Sequence, residues 1–164
     1  MIRVLFICHG NICRSPLAEF VLKHMVEQRG LQGQFEIASA ATSTEECWGG
    51  RGNPIYPPAQ DELRRHGIGK TNYTNYLSKR ARQVTKADYE YYDYILCAES
   101  VNIRNTIRIT GEDYQNKIKL MLDYSDRPRN IADPWYSGDF STAWRDVEEG
   151  CSSFLKYLEE NNLI

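Results

Sequence analysis

A cysteine, an arginine and a serine capable of chemistry fall together near the start of the chain, in Cys8-His9-Gly10-Asn11-Ile12-Cys13-Arg14-Ser15-Pro16. A loop that leaves a buried strand and enters a helix turns successive backbone N–H groups inward, and the helix dipole adds positive potential there. Gly10 and Asn11 are residue types that tolerate the left-handed backbone angles such a cradle demands. Arg14 supplies a planar, permanently charged fork able to hold two oxygens of a tetrahedral oxyanion. The same field favours Cys8 as a thiolate, the reactive form of the side chain. A nucleophile, an anion cradle formed by residues His9, Gly10, Asn11, Ile12, Cys13 and Arg14, and a bidentate clamp therefore converge. Displacement at phosphorus needs that combination.

Such a cradle forms only between a strand and a helix, and the pattern around the loop supplies both. Residues 2–7 are an apolar run broken only by Arg3, as expected of a strand covered on both faces. Ser15-Pro16 offers a helix start, with Ala18, Val21, Leu22, Met25 and Val26 at helical spacing until Gly30. Further strands are expected at 35–38, 92–98 and 117–121, with helices at about 58–66 and 100–109. A last helix carries Phe140, Ala143, Trp144, Val147, Cys151, Phe154, Leu155 and Leu158 on one stripe. Residues 42–58 read as a long loop facing substrate, and residues 70–86 as irregular. Alternating strands and helices imply an α/β fold: a four-stranded parallel sheet, doubly wound, with helices on both faces in three layers. Ligands of such sheets bind beyond the carboxyl ends of the strands. Without repeats or a linker, residues 1–164 are expected to form a single domain.

The 164 residues carry 20 basic and 22 acidic side chains, with 41% apolar and 12% aromatic residues. This is an ordinary globular composition, with no basic surplus for nucleic acid and no apolar run long enough for a membrane span. The basic cluster Lys79-Arg80-Arg82 reads as a solvated face. Five cysteines at irregular spacing argue against a disulfide framework, and no zinc-ligand pattern occurs, so no metal and no other cofactor is expected. The opening segment lacks signal-peptide features, which points to the cytoplasm.

With Glu19 three residues beyond Pro16, the Cys8–Pro16 segment resembles the signature of the low-molecular-weight protein tyrosine phosphatases. A second hallmark of that family, an Asp-Pro followed by two aromatics, stands as Asp133-Pro134-Trp135-Tyr136. The similarity extends through Ala40-Ala41-Thr42-Ser43, His66-Gly67-Ile68 and Ala81-Arg82-Gln83-Val84-Thr85. The family's fold agrees with the one read above. The resemblance implies hydrolysis of phosphotyrosine on proteins, or of small aryl phosphates, through a phosphocysteine at Cys8. Arg14 and the loop amides then hold the equatorial oxygens, and Asp133 protonates the leaving phenoxide and later activates water. It also implies that Ser15 donates its hydroxyl to the Cys8 sulfur rather than capping the helix. Asn11 is expected to buttress the cradle with Ser39 and His66, and Glu19 to pair with His66; for His66 a plain helix-end position is the alternative. Trp48 is expected to stack on the phosphoaryl ring opposite Trp135 and Tyr136. Cys13 is placed to trap an oxidised Cys8 as a disulfide. A monomer is the expected state.

The chain departs from the family pattern at four points. His9 stands where an apolar residue is usual, and about three extra residues, including Glu45 and Glu46, precede Trp48. Trp135 replaces a tyrosine, and Glu99 stands where Asp is common. Three other activities are compatible with a loop of this kind. Arsenate reductases of the same fold need a relay cysteine pair, which Cys97 lacks. Protein arginine phosphatases tend to carry Thr where this chain has Ile12. A phosphocysteine carrier that hands its phosphoryl group on without hydrolysis has no use for Arg14 and Asp133.

Overall fold

The computed structural model describes residues 1–164. At its centre lies Ile2–Cys8 (β1), whose side chains alternate between two cores. Val4, Phe6 and Cys8 face one core, while Leu5 and Ile7 face the other. That division explains the apolar run: a strand covered on both faces has no position left for polar residues except its ends.

Arg14–Gln28 (α1) leads to Phe35–Ala41 (β2), and Pro57–Arg65 (α2) and Lys86–Tyr91 (α3) precede Tyr94–Cys97 (β3). Ser100–Thr110 (α4), Ile118–Leu120 (β4), the short Pro134–Ser137 (α5) and Phe140–Glu160 (α6) complete the chain. The four strands are all parallel, in the order β2-β1-β3-β4. Helices α1, α2 and α6 supply the larger core with Leu17, Val21, Leu63, Trp144 and Phe154; α3 and α4 cover the other face through Tyr89, Ile103 and Ile107. The expected three-layer, doubly wound sheet is the one found.

Register sets the strand ends level. Cys8 pairs with Ala41, Ile7 with Cys97, and Cys97 with Leu120, so the carboxyl ends form one rim. The chain leaves β1 for β2 on one side and reaches β3 on the other. Cys8 thus ends the strand at which the winding reverses, where an open α/β sheet leaves a crevice.

Two elements were not foreseen. Helix α3 begins with a reciprocal capping box, Thr85 accepting from the Asp88 N–H and Asp88 from the Thr85 N–H. Helix α5 is capped by Asp133, whose carboxylate accepts the Trp135 N–H at 3.0 Å, with Pro134 in the first turn. The 70–86 segment is also less irregular than expected, since Arg82 and Val84 bond Ala41 on the sheet's edge at 2.7 and 2.8 Å.

Candidate active site

Between β1 and α1 the chain makes a tight loop held from within. Asn11 adopts a left-handed conformation (φ 58°), and its backbone N–H points at the Cys8 sulfur at 3.3 Å. Its side-chain amide donates to Ser15 Oγ at 2.8 Å and Ser39 Oγ at 2.9 Å, and its carbonyl accepts the Arg82 N–H at 3.3 Å. Ser15 Oγ lies 3.1 Å from Cys8 Sγ. Ser15 is therefore not the helix cap: α1 is preceded by Cys13, with no capping side chain, which leaves N–H groups at the helix start. The first turns of α1 are buried all round, residues 14–22 without exception, so this helix end is fixed rather than frayed.

Arg14 is only 1% exposed. One terminal nitrogen donates to the Ile131 carbonyl at 2.8 Å; the other meets Glu99 at 3.2 Å and Asp133 at 3.3 Å. Its Nε is buried with no partner. A buried guanidinium N–H left unpaired at the floor of a cleft is a donor reserved for an anion. The Ile131 N–H bonds the Ala98 carbonyl at 2.8 Å, so the segment carrying Asp133 is tied to the end of β3 and to Arg14. Glu99, absent from the motif, holds Arg14 from α4's start; a carboxylate just beyond β3, on the same rim, was the signal for it.

Cys8, Arg14 and Asp133, 125 positions apart at their extremes, line one cleft of about 120 Å3. His9, Gly10, Ile12 and Cys13 line it from the loop, and Trp135 and Tyr136 from α5. Burial, and then the nearby Cys8, push the Cys13 thiol upward.

Two expected residues are elsewhere. Trp48 is 69% exposed and does not line the cleft; Glu45 and Glu46 do. The Asn53 N–H bonds the Glu46 carbonyl at 2.7 Å and its side chain bonds the Glu46 carboxylate at 2.5 Å, so residues 47–52 bulge outward. Glycine is needed at the base of that bulge, because a Cβ on Gly52 (φ 72°) would lie 2.0 Å from the Ala81 carbonyl oxygen. His9 reaches across to Glu45 at 3.1 Å, and the ring of Tyr56, not singled out beforehand, packs at a tilt against Trp135 with centroids 4.7 Å apart. His66 pairs with neither Asn11 nor Glu19. It closes α2, contacts Glu62 at 3.5 Å and stacks flat on Trp144 of α6 at 3.8 Å. Glu19 instead accepts from Ser39 at 2.5 Å and meets Lys23 and Lys79 at 2.9 and 3.7 Å.

The family model for low molecular weight phosphotyrosine protein phosphatase matches residues 3–163. The chain belongs to that family. It is a protein-tyrosine phosphatase, a hydrolase. The low molecular weight phosphotyrosine protein phosphatase of Gallus gallus is 38% identical over 158 residues, covering 93% of each chain. YfkJ of Bacillus subtilis, a low molecular weight protein-tyrosine-phosphatase, is 33% identical over the full length of both. Its crystal structure matches this phosphatase with a TM-score of 0.85, covering 98% of this chain and 96% of that one. A crystal structure described as a Drosophila arginine phosphatase matches with a TM-score of 0.79 at 30% identity, covering 95% and 97%. No helix of the phosphatase is long and apolar enough to cross a membrane.

Proposed function

We propose that Cys8 attacks the phosphorus of a protein phosphotyrosine or a small aryl phosphate. The sulfur–phosphorus bond forms as the phosphorus–oxygen bond to the leaving group breaks. The unpaired Arg14 Nε and the loop amides of residues 9–14 receive the equatorial oxygens, where charge accumulates in the transition state. Asp133 gives a proton to the departing phenoxide, whose conjugate acid is weak enough (about 10) that unassisted departure is slow. In the second step Asp133 takes a proton from the water that displaces Cys8 and releases phosphate. Because the first step needs Asp133 protonated, turnover favours mildly acidic solution.

One observation carries this reading. Sulfur, guanidinium and carboxyl group line the same small cleft, with Asp133 in contact with Arg14. Apolar Ile12 and the aromatic Trp135 and Tyr136 beside the anion cradle fit a flat aryl ring better than a guanidinium. Glu45 and Glu46 at the mouth disfavour acidic residues next to the phosphotyrosine. Cys13 serves as the thiol that captures an oxidised Cys8. The protein acts as a single-domain monomer in the cytoplasm and needs no cofactor. Phosphate release from phosphotyrosine, phosphoserine and phosphoarginine peptides tests the substrate class. Release confined to phosphotyrosine supports it; faster release from phosphoarginine overturns it, and stoichiometric labelling without turnover means a carrier instead.

A further inference from the structure

Beside the strand that abuts the phosphate cradle lies a largely covered cation with no part in the chemistry just described. Lys79 comes from the segment that composition marks as a solvated face, yet its side chain is only 13% exposed. Its ammonium donates to the Ser39 carbonyl at 2.8 Å and stands 3.7 Å from Glu19. Burial pulls this ammonium below the ordinary lysine value, while Glu19 raises it and Arg82 and Lys23 lower it further. These charges, with the Cys47 thiol that feels Lys79 from the 42–56 loop and the Tyr73 hydroxyl that feels Glu19, are the titratable groups around it.

The hydrogen bonds between Lys79 and the Cys8 sulfur have only one consistent direction. The Glu19 carboxylate only accepts, so Ser39 Oγ must spend its hydrogen on it, at 2.5 Å. Ser39 Oγ then receives Asn11 Nδ2 through a lone pair at 2.9 Å. The Asn11 amide cannot be turned round, because its Oδ1 already accepts the Arg82 N–H. Its second N–H goes to Ser15 Oγ at 2.8 Å, leaving the Ser15 hydrogen for Cys8 Sγ at 3.1 Å. With the Asn11 backbone N–H, the sulfur is faced by two donors. A sulfur faced by two donors is stabilised as the anion. Every link depends on a fixed acceptor at the far end.

We propose that Lys79 is a positioning residue for the Cys8 nucleophile. Its ammonium pins the Glu19 carboxylate and the Ser39 backbone together, and so aims the Ser15 hydroxyl at the sulfur. Lys23 neutralises the other Glu19 oxygen from one turn along α1, but makes no bond to Ser39. Of the two lysines, only Lys79 reaches both the carboxylate and the strand backbone. The inference rests on Cys8 being the nucleophile.

The test is the rate of Cys8 alkylation by iodoacetamide, a neutral reagent that reports the thiolate without binding the cradle as an anion, measured across pH. Lys79→Met keeps the aliphatic stem and removes the charge. It is expected to move the alkylation profile upward by about one pH unit, roughly a tenfold loss in rate on the acidic limb, and Lys79→Arg to restore most of it. Glu19→Gln, which replaces the pure acceptor by a group that can donate, should give the same upward shift and serves if Lys79→Met does not fold. A folded Lys79→Met or Glu19→Gln whose profile overlays the wild type overturns the proposal. So does an Arg variant no better than the Met variant, because charge would then not matter. Release of phosphate from a phosphotyrosine peptide, abolished or not by Cys8→Ser, separately reports whether the underlying mechanism stands.

Discussion

At the scale of single residues, the site is organised by what each group can still donate. Arg14 spends one terminal nitrogen on Ile131 and the other on Glu99 and Asp133, keeping Nε for substrate. Lysine cannot reproduce that fork, so Arg14→Lys should lower kcat/KM by roughly a hundredfold or more despite keeping the charge; steady-state kinetics with p-nitrophenyl phosphate read this. Asp133→Asn removes the proton donor, and its cost should follow the leaving group. We expect a loss of roughly a hundredfold or more with phenyl phosphate and a much smaller one with p-nitrophenyl phosphate, whose anion departs unaided. Equal losses on both would place Asp133 outside the proton transfer. Burial raises the Cys13 thiol, so little of it is thiolate at neutral pH, and the fraction grows as pH rises. Disulfide capture of a peroxide-oxidised Cys8 should therefore speed up with pH, and the inactivation should be reversed by dithiothreitol in the wild type. A Cys13→Ser variant recovering equally well removes that role. At the mouth, Glu45 is exposed and paired with His9, whereas Glu46 is held by Asn53. Glu46→Gln should narrow the preference for basic over acidic flanking residues in phosphotyrosine peptides, by a few-fold given solvent screening.

At the scale of elements, the loop that delivers Asp133 is tethered to α6. Arg129 grips Glu149 through two bonds at 2.8 and 3.1 Å and Asp146 at 2.8 Å. Arg129→Ala should loosen this loop and lower kcat several-fold with KM little changed, because the cradle that binds phosphate is built elsewhere. The hydrogen bonds from Arg129 hold the Glu149 carboxyl below its usual value, with burial opposing them. A depressed carboxylate stabilises the fold fully above its unfolded value, near 4.5, and the contribution is lost as pH falls through the lower folded value. Thermal unfolding followed down to about pH 3 should thus show a steeper acid loss in the wild type than in Glu149→Gln. The tether could not be read from the sequence, since it joins residues about twenty apart with no periodic pattern. The same is true of Lys79, whose neighbours Arg80 and Arg82 made a charged surface the natural reading. His66 went astray for a related reason: a histidine at a helix end has no signal for which neighbouring helix it will stack upon, and Trp144 offered a flat partner. Helices α3 and α5 were missed as well, because they are too short for periodicity to show and only the cap residues Thr85, Asp88 and Asp133 mark them.

At the scale of the whole molecule, the sheet is what makes a two-part motif into a site. The strand-then-helix frame of the loop was legible because β1 is buried on both faces and must be apolar, and α6 because its apolar stripe runs along nearly all of a 21-residue helix. Parallel pairing then brings the end of β3 beside the end of β1, and Ala98 receives the segment that carries Asp133. What the sequence withheld was the course of residues 42–56, where several glycines with positive φ permit many paths and the Glu46–Asn53 contact selects one. That path leaves Trp48 exposed and brings Glu45 and Glu46, rather than an aromatic ring, to the edge of the cleft. The central claim is that Cys8 carries the phosphoryl group between the two displacements. The most direct measurement is the mass of the intact chain denatured rapidly during turnover of p-nitrophenyl phosphate, with the modified residue mapped. One phosphoryl group on Cys8, together with inactivity of Cys8→Ser, is the predicted result. A phosphoryl group on any other side chain, or undiminished turnover in Cys8→Ser, would contradict it.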